Sequence, residues 1–320
     1  MAEQAPRLNA TFFAFQKRER RFVLARAAAG YLILLTLFTA AYVAATWSVW
    51  TGMIDWYLGV LADMSSGADP AAPPLEAMAA LAPWWAVSVI VSLVLFASFE
   101  AACLRWLVRG ESGGGLLGLR FGADTWRVFA IYWIWLALWI GAMVAIALFY
   151  LLVRALAGAH PAMQWIMLLV AALAPLGFFA LAIWGSVRLA PGAAVTVREG
   201  KFAFFKAWGE TRRLFWPLLG AFVIVTIGYF VIAFIVQQVL SLPFNGPAHA
   251  LMADMMAGAT SEEVMRRAFE TFATPGFIAL GVVYLLATQI LACVFYIAFF
   301  GINARAALVA LEEGKIQRVD

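Results

Sequence analysis

The side chains that could carry chemistry in this 320-residue chain are few and far apart. The two histidines, His160 and His249, fall in segments between apolar stretches and lack a constellation of carboxylates with which to hold zinc. The sequence contains neither H-E-x-x-H nor G-x-S-x-G, the spacings that zinc proteases and serine hydrolases require. We therefore predict no catalytic residue, no metal, no cofactor and no enzyme activity.

Glu100 is the only acidic residue that we place inside a predicted membrane span, where ionisable groups are costly and often functional. It lies about one turn from the predicted interface, so it can pair with Arg105 or with arginines beyond the span. The alternative is that Glu100 contacts a substrate or carries a proton. Gln289 lies near mid-membrane, where a hydrogen bond between helices is its expected role. These three residues form the predicted intramembrane polar site.

A run of glycines at residues 110–122 permits two interpretations. Residues Gly113–Gly118 formally match G-x-G-x-x-G, but a membrane span precedes them instead of a strand, so we expect no nucleotide site. Four glycines at a spacing of four would give a helix one smooth packing face. So many glycines also disfavour a helix, which makes a flexible loop an equal alternative. The four are Gly110, Gly114, Gly118 and Gly122.

The composition places the chain in a membrane. It is 65% hydrophobic and 12% charged, with a mean hydropathy of +0.90, whereas soluble domains are about 45–50% apolar and about 25% charged. Nucleic-acid binding would need a soluble module with a basic face, and none remains outside the apolar stretches. Cys103 and Cys293 both lie in predicted spans, where we interpret them as small apolar fillers.

Six apolar stretches are each long enough to cross a bilayer as a helix, so the predicted fold is all-α and polytopic. Pro175, inside the fourth span, predicts a kink. Polar turn residues make 51–82 and 241–275 the predicted extracytoplasmic loops, and Thr260 with Glu263 predicts a capped short helix in the second loop. The spans are about residues 27–50, 84–107, 128–153, 162–187, 214–236 and 277–302.

Lysine and arginine placement sets the predicted orientation, because cytoplasmic segments carry an excess of both. All but three of the 22 fall on one side of the six-span arrangement. The other side has only Arg154, Arg266 and Arg267. We therefore predict that both termini are cytoplasmic, with the basic segments at residues 1–26, 105–127, 188–213 and 305–320.

Basic and aromatic residues lead into the spans, most clearly at residues 201–213. Helical spacing there places Phe204, Trp208, Thr211 and Phe215 on one side and Lys206, Glu210 and Arg213 on another. Such a segment suits the headgroup region, and residues 9–26 have the same character. We predict interfacial helices in both. The expected contacts with anionic headgroups or a protein partner are Lys201, Lys206, Trp208, Arg212, Arg213 and Trp216.

The six spans divide into three helix pairs, each opening with a basic, aromatic segment, which predicts either an internal repeat or the ordinary ends of membrane hairpins. The sequence AWGETRRLFW at residues 207–216 resembles a pattern in bacterial six-span proteins, among them the membrane domain fused to some glycerophosphodiester phosphodiesterases. The soluble phosphodiesterase domain of those fusions is absent here. The resemblance implies a bacterial inner-membrane protein close to phospholipid metabolism.

Two functions fit these observations. The first is a non-enzymatic helical bundle that handles lipid or organises partners, including further copies of itself. The basic-aromatic segments, together with almost no buried polar chemistry, favour this function. A small-molecule transporter or permease component follows from the possible repeat, from Pro175 and from Glu100. We favour the first function and keep the second as the alternative.

Overall fold

The computed structural model describes residues 10–16, 22–66, 72, 74–112, 114–115, 117–159, 164–312 and 314. Their regular secondary structure is helical, and these residues contain no strand. The predicted residues at 17–21, together with His160 and Gly113, lie outside the described ranges. The helices are α1 (Phe13–Gln16), α2 (Phe22–Ser66), α3 (Leu75–Leu104), α4 (Ala123–Ala159), α5 (Gln164–Leu189), α6 (Gly192–Glu199), α7 (Lys206–Glu210), α8 (Phe215–Met256), α9 (Ser261–Phe272) and α10 (Pro275–Glu312).

Six of these helices, α2, α3, α4, α5, α8 and α10, are long and apolar enough to cross a membrane. This confirms the predicted all-α, six-span fold of a multi-pass membrane protein, and each predicted span coincides with one helix. Most of the helices extend well beyond the predicted spans. Pro175 lies within α5, and α10 continues to Glu312.

The segments predicted as long loops are mostly helical. In the first, α2 continues to Ser66 and α3 begins at Leu75; in the second, α8 continues to Met256. Polar residues end an apolar pattern, but they do not interrupt the backbone hydrogen bonds of a helix. The helices therefore continue beyond their apolar sections. The short capped helix is confirmed as α9, where the Thr260 hydroxyl accepts a hydrogen bond from the Glu263 amide at 3.3 Å.

The interfacial helices are shorter than predicted. Residues 201–213 contain only α7 and a 3-10 turn at Thr211–Arg213, and the described part of 9–26 contains α1 and the start of α2. Residues 110–122 are a loop where the structure describes them, which answers the question that the glycine spacing left open. Gly110 and Gly118 both have a positive φ. A Cβ added at Gly118 would lie 3.2 Å from Arg26 Cγ.

The described residues fall into two compact units. Unit 1 comprises Met1–Ala27, Phe96–Val225 and Ile297–Asp320, and unit 2 comprises Ala28–Leu95 and Thr226–Tyr296. Unit 1 has a tightly packed core at the end that carries the basic segments, and its fully buried side chains include Phe99, Phe204, Leu218 and Ile302. Along the apolar helices most large side chains are exposed, as expected where lipid is the surrounding solvent.

Candidate functional site

The elbow, residues 200–216, connects α6 to α8 in unit 1 and presents two different faces. Ala203, Phe204, Ala207, Thr211 and Leu214 are buried against the rest of the unit. The opposite face exposes basic and aromatic side chains together, including all six predicted contact residues. Glu210, which helical spacing grouped with Lys206 and Arg213, is buried instead. The exposed side chains are Lys201, Phe202, Phe205, Lys206, Trp208, Arg212, Arg213 and Trp216.

Phe204 anchors the elbow to α6. Its ring is fully buried and lies so close to Gly192 that a Cβ there would be 2.4 Å from the ring carbon Cδ2. Trp135 packs edge-on against the same ring at 5.8 Å. The Ala203 amide also donates to the Thr196 hydroxyl at 3.2 Å. These contacts fix the elbow, so its exposed face is a preformed surface.

The two lysines of the elbow share one acidic partner, Glu199. Lys206 Nζ lies 2.8 Å from a Glu199 carboxylate oxygen, and Lys201 Nζ lies 3.7 Å from the other. Arg212 and Arg213 are exposed and form no ion pair within the described residues. Of the four predicted cationic contacts, the two arginines are therefore the ones with their charge fully available to a headgroup.

Arg188, which the sequence did not single out, joins the end of α5 to the elbow. Its guanidinium donates to the Trp208 carbonyl and, at 3.2 Å, to the Thr211 hydroxyl. It also lies 4.7 Å above the Trp208 ring and 5.7 Å from the Trp184 ring, within the range of cation–π attraction. An arginine at the end of a span, a few residues from an aromatic segment, is the only sequence signal for this contact.

A groove beside the elbow is lined by tryptophans and other side chains of α4 and α5. Its volume is about 280 Å³ and its lining is apolar. The Trp184 and Trp208 rings meet edge to face at 4.8 Å, so one wall of the groove belongs to the elbow itself. This tryptophan groove is lined by Trp135, Leu138, Trp139, Ala142, Leu181, Ala182, Trp184, Gly185, Ser186, Leu189 and Trp208.

A second cavity, the arginine pocket, lies where the end of α3 meets the start of α4. Its volume is about 290 Å³. A π-helical turn, Arg105–Arg109, directly follows α3 and ends at Gly110, whose left-handed conformation lets its amide bond back to the Arg105 and Trp106 carbonyls. The lining residues are Arg105, Arg109, Glu111, Arg120, Gly122, Ala123, Asp124, Arg127 and Gly200.

Asp124 holds three arginines at the arginine pocket. Its carboxylate oxygens lie 3.1 Å from Arg109 Nη1, 2.9 Å from Arg127 Nη1 and 3.9 Å from Arg105 Nη1. Arg109 also donates to the Val197 carbonyl, while Arg198 donates to the Val108 carbonyl in return. These reciprocal bonds connect the π-helical turn to α6 and fix one wall of the pocket.

The predicted pairing of Glu100 with Arg105 is wrong. Glu100 is buried and accepts a hydrogen bond from the Tyr132 hydroxyl, and Arg105 lies with Asp124. Five residues along an α-helix correspond to about 140° around its axis, so Glu100 and Arg105 face different neighbours. Gln289 belongs to unit 2, is exposed, and forms no side-chain hydrogen bond among the described residues. Glu100 and Arg105 therefore have separate partners, and Gln289 shares a hydrogen bond with neither of them in the described part of the chain.

The described residues contain no cluster of three His, Cys, Asp or Glu side chains that could hold a metal ion. Cys103 and Cys293 are buried and are not joined in a disulfide. Comparison with models of protein families, with curated proteins and with solved structures finds no match for this chain. The resemblance of residues 207–216 to the phosphodiesterase-associated membrane domain therefore stays a prediction.

Proposed function

We propose that this protein binds an anionic phospholipid at the elbow and performs no catalysis. The headgroup contacts Arg212 and Arg213, and one acyl chain lies in the tryptophan groove. The host membrane is the inner membrane of a bacterium, with the elbow at its cytoplasmic face. The observation that carries this proposal is the placement of two exposed arginines, without an ion pair in the described part of the chain, beside an apolar groove that shares Trp208 with the elbow.

The chemistry of a phospholipid matches both halves of this surface. Arginine donates paired hydrogen bonds to phosphate oxygens, and each cation close to an anionic membrane surface contributes about 1 kcal/mol. Tryptophan rings, with an apolar body and a polar N–H, prefer the boundary between headgroups and acyl chains. Because the elbow is held by Phe204 and Arg188, ligand binding does not require the surface to be ordered first.

The test is native mass spectrometry of the full chain in maltoside micelles, with added phosphatidylglycerol as the probe. We expect the wild type to retain phosphatidylglycerol in preference to phosphatidylcholine. The double variant Arg212→Gln, Arg213→Gln should lose more than about tenfold in affinity, because two cations are removed. Trp139→Ala, which opens the groove but removes no charge, should weaken both lipids.

The matched control removes two exposed arginines elsewhere, Arg154→Gln with Arg266→Gln. This pair lies outside the elbow and should retain phosphatidylglycerol like the wild type. Equal losses from the control and from the elbow variant would mean that only net charge matters, which contradicts a binding site at the elbow. Retention by the elbow variant at the wild-type level would also contradict it.

A further inference from the structure

We propose that the arginine pocket is a binding site for a single phosphoryl group. The group can belong to inorganic phosphate or to the phosphomonoester headgroup of a lipid, because both present the same oxygens. This site goes beyond the proposed function, which concerns the elbow, and does not depend on it. The proposal rests on the charge of the pocket, on a buried hydrogen-bond donor and on the backbone that frames it.

The arginine pocket carries more positive charge than its own acids can neutralise. Four guanidinium groups line it, from Arg105, Arg109, Arg120 and Arg127, against only two carboxylates. One of those carboxylates, Asp124, is shared by three arginines, and the other, Glu111, is half-exposed and 3.7 Å from Arg109. The pocket therefore has an excess of two positive charges. A phosphoryl group carries a charge of about −1.5 to −2 at neutral pH and would neutralise this excess.

Arg105 supplies a donor that nothing else in the described part of the chain uses. The residue is 3% exposed, and its Nη2 is buried without a hydrogen-bond partner among the described residues. Its Nη1 lies 3.9 Å from Asp124, too far for a hydrogen bond. A buried guanidinium nitrogen without an acceptor is costly, and an anion in the pocket would remove that cost.

Arg120 provides a second available guanidinium in the lining of the pocket. Its side chain is exposed, forms no ion pair within the described residues, and lies across Gly122, with Nε 3.5 Å from the position of a Cβ there. Its carbonyl accepts from the Thr125 hydroxyl at 2.7 Å, which fixes the backbone that carries it. Arg105 and Arg120 therefore leave donors for a ligand while Asp124 occupies Arg109 and Arg127.

The backbone of the pocket also favours an anion. Ala123 begins α4, a helix of 37 residues, and both Ala123 and Gly122 line the cavity. Amides in the first turn of a helix have no acceptor within it, and the helix dipole places partial positive charge at that end. The π-helical turn on the other wall holds Arg105 and Arg109 one turn apart, and turns of this kind are frequent at functional sites.

The experiment measures the Tm of the full chain in maltoside micelles, which contain no phosphate. Inorganic phosphate is compared with chloride at equal ionic strength, and phosphatidic acid is compared with phosphatidylglycerol in a separate arm. We expect phosphate, phosphatidic acid or both to raise the Tm of the wild type. A rise with phosphate identifies a free anion as a ligand, and a rise with phosphatidic acid alone identifies a lipid headgroup.

Arg120→Gln is the informative variant, because the side chain is exposed and its loss should leave the fold intact. It should weaken binding of the effective probe by about tenfold or more, the usual consequence of losing a charge-assisted hydrogen bond. Arg105→Gln should do the same where it folds. Arg154→Gln, which removes the same charge from an exposed position outside both the elbow and the arginine pocket, is the matched control and should bind like the wild type.

Two results would overturn the site. One is a wild-type Tm that responds to neither probe, in protein whose mass spectrum carries no phospholipid adduct. The other is an equal loss of binding in Arg120→Gln and Arg154→Gln, which would reduce the effect to net charge. If a phospholipid adduct is present after purification, its selective loss from Arg120→Gln supports the site in the same way.

Discussion

Arginine side chains in unit 1 are used in two ways. Arg109, Arg188 and Arg198 donate to main-chain carbonyls of neighbouring helices or of the elbow, where positive charge also suits the negative end of a helix dipole. Arg120 and Arg213 are exposed and have no ion pair among the described residues. Arginines of the first kind hold the unit together, and those of the second kind are available to ligands.

Asp124 should be the most sensitive acidic residue of unit 1. Asp124→Asn removes the carboxylate that Arg109, Arg127 and Arg105 share, leaving three cations around a neutral amide. We expect the free energy of unfolding to fall by about 1.5–3 kcal/mol, the value of hydrogen bonds to a charged group. Chemical denaturation of the full chain in maltoside micelles measures this loss.

Phosphate should restore part of that stability, because the variant frees two further guanidinium groups for an anion. The matched control is Asp254→Asn in unit 2, where the carboxylate is 2.8 Å from the exposed Arg267 and should contribute less than about 1 kcal/mol. If Asp124→Asn were as stable as Asp254→Asn, the shared carboxylate would have no structural role.

The sequence could not predict the part that Asp124 plays. Arg105 and Asp124 are separated by a glycine-rich loop, and no periodicity shows that the loop returns the chain to the π-helical turn. Glu100 was visible because an acid in an apolar run is conspicuous, but its partner, Tyr132, lies on another helix. Residue types are thus readable from the sequence, whereas pairings between helices depend on packing.

At the scale of elements, the elbow departs most from its prediction. An amphipathic pattern over residues 201–213 favours one helix, but the structure has a five-residue α7 followed by a 3-10 turn. The Arg188 guanidinium takes the Trp208 carbonyl, which a regular helix would pair with the amide four residues on, and it also donates to the Thr211 hydroxyl. Tertiary contacts therefore override the local pattern: Phe204 and Thr211 are buried, whereas Trp208, which helical spacing places on the same side, is exposed.

The contact between α6 and the elbow should tolerate no added volume at Gly192. In Gly192→Ala the new Cβ would lie 2.4 Å from a ring carbon of Phe204, which is fully buried and cannot move aside. We expect the variant to lose about 1–3 kcal/mol of stability through overpacking. Because the contact between Gly192 and Phe204 also holds the elbow in place, the retention of phosphatidylglycerol should fall together with the stability.

Gly177→Ala is the matched control, since nothing lies within 4 Å of a Cβ at Gly177 in α5. Alanine favours a helix over glycine by about 1 kcal/mol in water, so this variant should be neutral or slightly more stable. Thermal unfolding of both variants checks the pair. A Gly192→Ala protein as stable as Gly177→Ala would mean that the elbow is not fixed by Phe204.

At the scale of the whole molecule, composition and hydropathy were sufficient to predict the fold class. The six spans are long apolar runs, and each appears as a helix of at least 26 residues. Five of the predicted spans are shorter than their helices, because hydropathy marks only the section that suits lipid, whereas a helix ends where its backbone hydrogen bonds end. The placement of basic residues predicts in addition which ends of the helices face the cytoplasm.

That orientation gives a last prediction, that α9 and the elbow lie on opposite sides of the membrane. Single cysteines introduced as Glu270→Cys in α9 and Lys201→Cys in the elbow should react differently with a membrane-impermeant maleimide. Both positions are exposed, whereas the natural Cys103 and Cys293 are buried, so the unmodified protein provides the background. We expect Glu270→Cys to react in intact cells and Lys201→Cys to react only after permeabilisation.

Of the six helices that could cross a membrane, only α8 lies between the two positions, so their labelling also tests whether that helix crosses the membrane. Reaction of both cysteines in intact cells would place the ends of α8 on one side and contradict the six-span arrangement. Reaction of Lys201→Cys alone would keep six spans but reverse them. In that case the elbow would face the other leaflet, and inorganic phosphate in the cytoplasm could not reach the arginine pocket.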